Sequence, residues 1–263
     1  MIINKMVYAA ALCLAGSACG GGGSGGSIVE QFSPPRPKMG QQWTITTNYT
    51  QFDGRTGNYT SPYKITEVKP DNSYVAKAAN DLLYYKAGNQ GYGWVNGARS
   101  GTDLECWEEP PPATIFPLFV GKQLSRTATE VCIKPFYQAV LKLIITRAYS
   151  MKVVGVETLA IAGKNLKAVK SEESVVITQI STQISPRAGA KWSAAIRDKI
   201  QSALIDQWNL VWPEQTGDLA LLTKWWSPEL GIYVKINTDY TPVNSSSYMN
   251  QKQVAEVTNF SVS

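Results

Sequence analysis

Period two dominates the chain once its first forty residues are passed. From Gln42 to Gln51, Trp43, Ile45, Thr47 and Tyr49 fall on one side, and Gln42, Thr44, Thr46, Asn48 and Thr50 on the other. That is the alternation of a strand with one packed and one wet face. Asp53-Gly54 marks a turn. Short strands are predicted at 63–68, 73–79, 82–86 and 92–95, with Pro70-Asp71-Asn72 as punctuation, so the first half reads as an antiparallel meander. Residues 97–117 break the pattern. Asp103, Glu105, Glu108 and Glu109 surround Cys106-Trp107, and Pro110-Pro111-Pro112 follows. A proline run cannot lie inside a sheet, so this stretch is expected to cross between two halves of the domain.

The alternation then runs unusually far. Over 139–154, Leu141, Leu143, Ile145, Tyr149, Met151 and Val153 oppose Lys142, Thr146, Ser150 and Lys152. Sixteen residues at about 3.3 Å each would reach roughly 50 Å, so the strand has to curve or bulge, as the long strands of half-open barrels do. Strands at 166–171 and 174–184 follow, punctuated by Lys164-Asn165 and Pro186-Arg187. Over 191–212 the period changes to three and four: Trp192, Ile196, Ile200, Leu204 and Trp208 share one side, ahead of Pro213. This predicts an amphipathic helix of about five turns. It either packs on the concave face of the sheet, closes a ligand cavity as a lid, or meets a membrane or a partner. Strands at 219–226, 232–237 and 253–261 complete the chain.

The expected fold is therefore mainly β with one long helix: a curved antiparallel sheet or half-open β-barrel capped by an amphipathic helix. One β-rich domain, 41–263, is expected, divisible into halves 41–112 and 113–263. Met39-Gly40-Gln41-Gln42-Trp43 and Val120-Gly121-Lys122-Gln123-Leu124 both open a strand after a proline-rich stretch; an internal duplication and chance similarity between hairpins both explain this.

The beginning of the chain carries an address. Lys5 precedes an apolar run from Met6 to Ala18, and Gly16, Ser17 and Ala18 stand before Cys19. This is the layout of a secretory signal, and the run is too short for a membrane-spanning helix of about 20 residues. The small residues before Cys19 resemble the lipobox of bacterial lipoproteins, with Gly16 where Leu is usual. Residues 1–18 are read as a lipoprotein signal peptide, Cys19 as the lipidated residue, and 19–40 as a tether rich in Gly, Ser and Pro, a composition that forms flexible coil. Gly20 in place of Asp implies sorting to the outer membrane.

Composition narrows the chemistry. The 263 residues contain no His, 8 Trp and 13 Tyr, and the net charge of +5 becomes +4 when Lys5 is removed. Without histidine there is no Ser-His-Asp triad, Cys-His dyad or histidine zinc site, and no cofactor is expected. So small and dispersed a positive charge argues against a nucleic-acid partner. With Cys13 cleaved away and Cys19 lipidated, Cys106 and Cys132 remain; in an oxidising compartment they read as a disulfide, the alternative being two unpaired buried thiols.

Phe116-Pro117-Leu118-Phe119-Val120-Gly121-Lys122, Val154-Gly155-Val156-Glu157-Thr158, Lys167-Ala168-Val169-Lys170 and Trp225-Trp226-Ser227-Pro228-Glu229-Leu230-Gly231 occur in that order. Together they resemble the TapB-like family of bacterial envelope lipoproteins. That resemblance implies a small curved sheet, loosely similar to the half-barrel that carries lipoproteins across the periplasm, and it bears on fold and location more than on activity. In the last motif Pro228 presets a turn and Gly231 admits a positive φ. The rings of Trp225 and Trp226 are expected on opposite faces, one in the core and the other either idle or stacked on a sugar or lipid.

Three functions follow. The first is a non-enzymatic lipoprotein, held at the membrane through Cys19, that binds an apolar ligand or an envelope partner; Trp192, Ile196, Ile200, Trp208, Trp225 and Trp226 are the candidate contacts with a lipid, a glycan or a protein. The second is a carboxylate-dependent hydrolase of envelope polysaccharide, resting on the acids at 103–109, which otherwise read as a solvated surface or weak calcium site. The third is a structural or adhesive surface protein.

Overall fold

The computed structural model describes residues 29–261 apart from 80, 89, 97–104, 137–138, 187–192, 196–197, 199–201, 203–216 and 241–249. The described residues form twelve strands. They are β1 (Gln42–Gln51), β2 (Thr56–Val68), β3 (Tyr74–Ala78), β4 (Asp81–Lys86), β5 (Gln90–Asn96), β6 (Glu105–Glu109), β7 (Gln123–Phe136), β8 (Ala139–Ile161), β9 (Lys164–Pro186), β10 (Gly217–Ser227), β11 (Ile232–Tyr240) and β12 (Asn250–Ser261). Each pairs antiparallel with its neighbour in sequence, and β1 also pairs with β12, so the sheet closes into a barrel.

That closure corrects the expectation of a half-open barrel or curved sheet capped by a helix. Gln42 lies opposite Ser261 and Trp43 opposite Phe260, which leaves no sheet edge and no open concave face to cap. The named elements are all strands. Of the expected helix, Trp192, Ile196, Ile200 and Trp208 lie outside the described residues, and only Ala194, Ala195, Asp198 and Ser202 are described as helical.

Two further boundaries differ. The stretch expected as a crossover contains β6, which pairs with both β5 and β7 before its prolines begin. The two strands expected at 166–171 and 174–184 are one, β9, paired with β8 along its whole length. Register shifts at Thr146/Arg147 and Val153/Gly155 supply the bulges that these long strands need.

The alternation sorts residues as it should. In β7, Gln123, Ser125 and Thr127 are exposed while Leu124, Arg126 and Ala128 turn away from solvent. On the exposed side of β1, Thr46 Oγ1 lies 3.2 Å from Thr60 Oγ1 and 3.3 Å from Thr258 Oγ1, a water-facing row across three strands. Trp43 stacks on Tyr63 at 5.3 Å, within a core cluster that includes Ile65, Ala76, Val234 and Val257. A second cluster gathers Met151, Val153, Val169 and Trp226 beneath Phe32 and Leu118. Phe32 and Leu118 belong to two segments outside the barrel strands, joined by an isolated bridge whose two backbone hydrogen bonds are both 2.8 Å. Cys106 and Cys132 face each other across β6 and β7 and form a disulfide, as expected.

Candidate functional site

The buried face of β7–β11 is not uniformly apolar. Arg126 of β7 pairs with Tyr149 of β8, and one rung along Leu124 pairs with Met151, itself opposite Glu173 of β9. Lys224 of β10 and Tyr233 of β11 complete the patch. Because each of these residues sits on an inward position of its strand, the sheet delivers cations, carboxylates and phenols to one place.

They are arranged in two pairs. Arg126 donates two bonds to the Glu108 carboxylate, a bidentate ion pair, and its guanidinium lies 4.4 Å from the Tyr149 ring centre. Lys224 Nζ lies 2.6 Å from Glu173 Oε2 and 5.3 Å from the Tyr233 ring centre. Burial pushes both tyrosine hydroxyls above their ordinary pKa, and at Tyr233 the nearby Glu173 charge adds to the effect. Both phenols therefore stay protonated and can donate a hydrogen bond.

A strap covers the patch. Residues 112–115, between β6 and β7, lie across it and leave a cavity of about 270 Å³ bounded also by Gln90 and Gly91. Gln90 ties the strap down: its amide nitrogen is 3.5 Å from Ala113 O and its amide oxygen 3.3 Å from Ile115 N. Lys122 Nζ holds Ile115 O and Pro117 O at 2.6 and 2.7 Å, and burial lowers its pKa. A larger hollow of about 500 Å³ adjoins it and shares Leu124, Ser125, Ser150, Met151 and Glu173 with it. It is the shallower of the two and holds no ion pair among its lining residues, so the strapped cavity is the better site.

No family model matches this chain, and neither does any curated protein. Solved structures similar to it include a hypothetical lipoprotein, YmcC, from Escherichia coli (K12), at 12% identity and TM-score 0.42 over 81% of this chain and 85% of that one. A lipoprotein candidate from Parabacteroides distasonis matches at 12% identity and TM-score 0.38, covering 88% and 99%. An exported-protein candidate with a YmcC-like fold from Bacteroides fragilis matches at 11% and 0.35, covering 88% and 100%. The TapB-like resemblance finds no counterpart among these matches.

The residues singled out in the sequence lie elsewhere. Trp225 and Trp226 do take opposite faces, but both are buried, in different clusters. Trp225 donates its indole N–H to Glu157 at 2.9 Å, between Lys170 and Lys235. The bonds from Lys170 and Trp225 hold the Glu157 carboxyl below its ordinary pKa. Trp226 packs on Phe116 at 4.8 Å. Neither tryptophan lines the cavity. Among the acids, Asp103 lies outside the described residues, Glu105 and Glu109 are exposed, and only Glu108 turns to the buried face. Alternation along β6 separates Glu105 from Glu108, so among the described residues these acids form no convergent pair.

Proposed function

We propose that this chain is a bacterial envelope lipoprotein, anchored through Cys19, whose barrel is not an enzyme but takes up a small hydroxyl-rich ligand, such as one unit of a glycan, beneath the 112–115 strap. The observation that carries the ligand class is the lining of the cavity: two protonated tyrosines, the Lys224–Glu173 pair, and Arg126, whose charge is neutralised by Glu108 outside the lining. Such walls offer donors, acceptors and ring faces with little net charge, which suits a sugar better than an acyl chain. At about 270 Å³ the cavity is close to the lower limit of roughly 300 Å³ for small-molecule pockets. Glu108 and Glu173 each already bind a cation, which favours a fixed polar wall over a proton donor for glycoside cleavage. The water-facing threonine row on β1, β2 and β12 supports a barrel held at a membrane by its anchor, since a barrel in lipid needs an apolar outer band.

Two measurements test this reading. Radiolabelled palmitate should enter the wild-type protein in cells and be lost in Cys19→Ala; incorporation unchanged by that substitution would refute the anchor. Native mass spectrometry of the purified protein should show adducts with N-acetylglucosamine oligosaccharides that weaken at least tenfold in Tyr149→Ala. Retention of a fluorescent fatty-acid analogue, with no saccharide adduct, would overturn the ligand class.

A further inference from the structure

The segment entering the barrel fixes more than a fold boundary. Phe32 is bridged to Leu118, Lys167 bonds Glu30 and lies 5.0 Å from the Phe32 ring centre, and Pro35 packs against Gly231. Gln41 then reaches Leu230 O at 3.0 Å. These contacts seat residues 30–41 at the end of the barrel that carries the β8–β9 turn, the β10–β11 turn and the entry to β7. Cys19 stands only ten residues before Val29. At no more than about 3.5 Å per residue that stretch spans at most roughly 35 Å.

The same end differs chemically from the walls. Val29, Met39 and Val120 are exposed apolar side chains there, at 52%, 58% and 48%. Around them stand the exposed Arg36, Lys38, Lys164 and Lys167. The acids at this end are Glu30, already bonded to Lys167, Glu229 in the β10–β11 turn and, on the β2–β6 side of the rim, Glu67, Glu109 and Asp71, the last paired with Lys86. Apolar tips among cations match an anionic lipid surface, where the tips enter the headgroup layer and the cations meet lipid phosphates.

From this we infer that the strap end is a membrane-docking face, resting on anionic phospholipid with the barrel axis held away from the surface. The inference rests on the anchor at Cys19 proposed above. It places the opening under the 112–115 strap on the membrane side, and the β1–β2 turn at the far end. Thr56, the first residue of β2 and exposed, lies about 40 Å along that strand from Val68.

The test uses the full lipidated protein in vesicles of phosphatidylglycerol and phosphatidylcholine containing a headgroup nitroxide lipid. A fluorophore on Val120→Cys should be quenched at least threefold more than one on Thr56→Cys, and Met39→Cys provides an independent reporter of the same face. Replacing Arg36 and Lys38 together by Glu should remove at least half of that difference, and vesicles of phosphatidylcholine alone should show a smaller one. Equal quenching at 120, 39 and 56, in protein that has incorporated palmitate, would overturn the docking face and leave the anchor standing. Loss of palmitate labelling would overturn both.

Discussion

At the scale of single residues, the strap depends on one missing methyl group. Gly88 sits at φ +78°, and a β-carbon there would fall 2.1 Å from the Phe116 ring. Phe116 in turn packs on Trp226, so the glycine admits the ring that seats the strap. Gly88→Ala combines a left-handed backbone with an overlap against a packed ring. It should destabilise the protein by roughly 2–4 kcal/mol, read as a lower urea midpoint, together with a red shift in tryptophan emission as Trp226 loses its cover. An unchanged midpoint would mean that Phe116 has room to move. The two neighbouring tryptophans teach a related point: period two assigns them to opposite faces, yet both faces of the β9–β10 pair are covered at that level, one by the core and one by Phe32 and Leu118.

Among elements, the β8–β9 hairpin joins most of the molecule. Its 23-residue strands run from the disulfide-bearing wall to the end that seats Phe32. The Cys106–Cys132 bond ties β6 to β7 across a separation of 26 residues, and loop closure of that size is worth about 3.5 kcal/mol. Cys106→Ala with Cys132→Ala should lower stability by about that amount, measured by urea unfolding beside the oxidised wild type. A loss much smaller than this would show that the strand pairing alone constrains the unfolded loop. Strands with a clean polar and apolar alternation were legible in sequence: β1 has the expected bounds, and β4, β10 and β11 begin within two residues of theirs. The site was not legible, and for a physical reason. Arg126, Glu173 and Lys224 occupy half-buried, inward positions that a hydrophobicity pattern scores as outward. Glu172-Glu173 therefore read as a gap between two strands, although Glu173 turns inward to meet Lys224. Strand β6 was hidden in the same way by its acids and the prolines after it.

At the scale of the whole molecule, the property that sequence did not convey is closure. Alternation tells each strand which face to bury but not which distant strand to join, and the β1–β12 seam pairs the first strand among the described residues with the last. A division into halves at 112/113 would sever that seam and the β6–β7 pairing together. Residues 113–263 expressed alone are therefore predicted to lack a cooperative urea transition and to sediment as aggregates, because β7 and β12 would both present bare edges. A soluble monomer with a sharp transition would show that the second half is a domain in its own right.

The seam also orders events in time. β1 precedes β12 in the chain, so one flank of β1 waits, unpaired, until residues 250–261 are in place. A product cut before 250 keeps two sticky borders, on β1 and β11, that a holdase or protease can grip. β12 thus serves as the closing stave: once it is seated, the borders of β1 and β11 are both hidden.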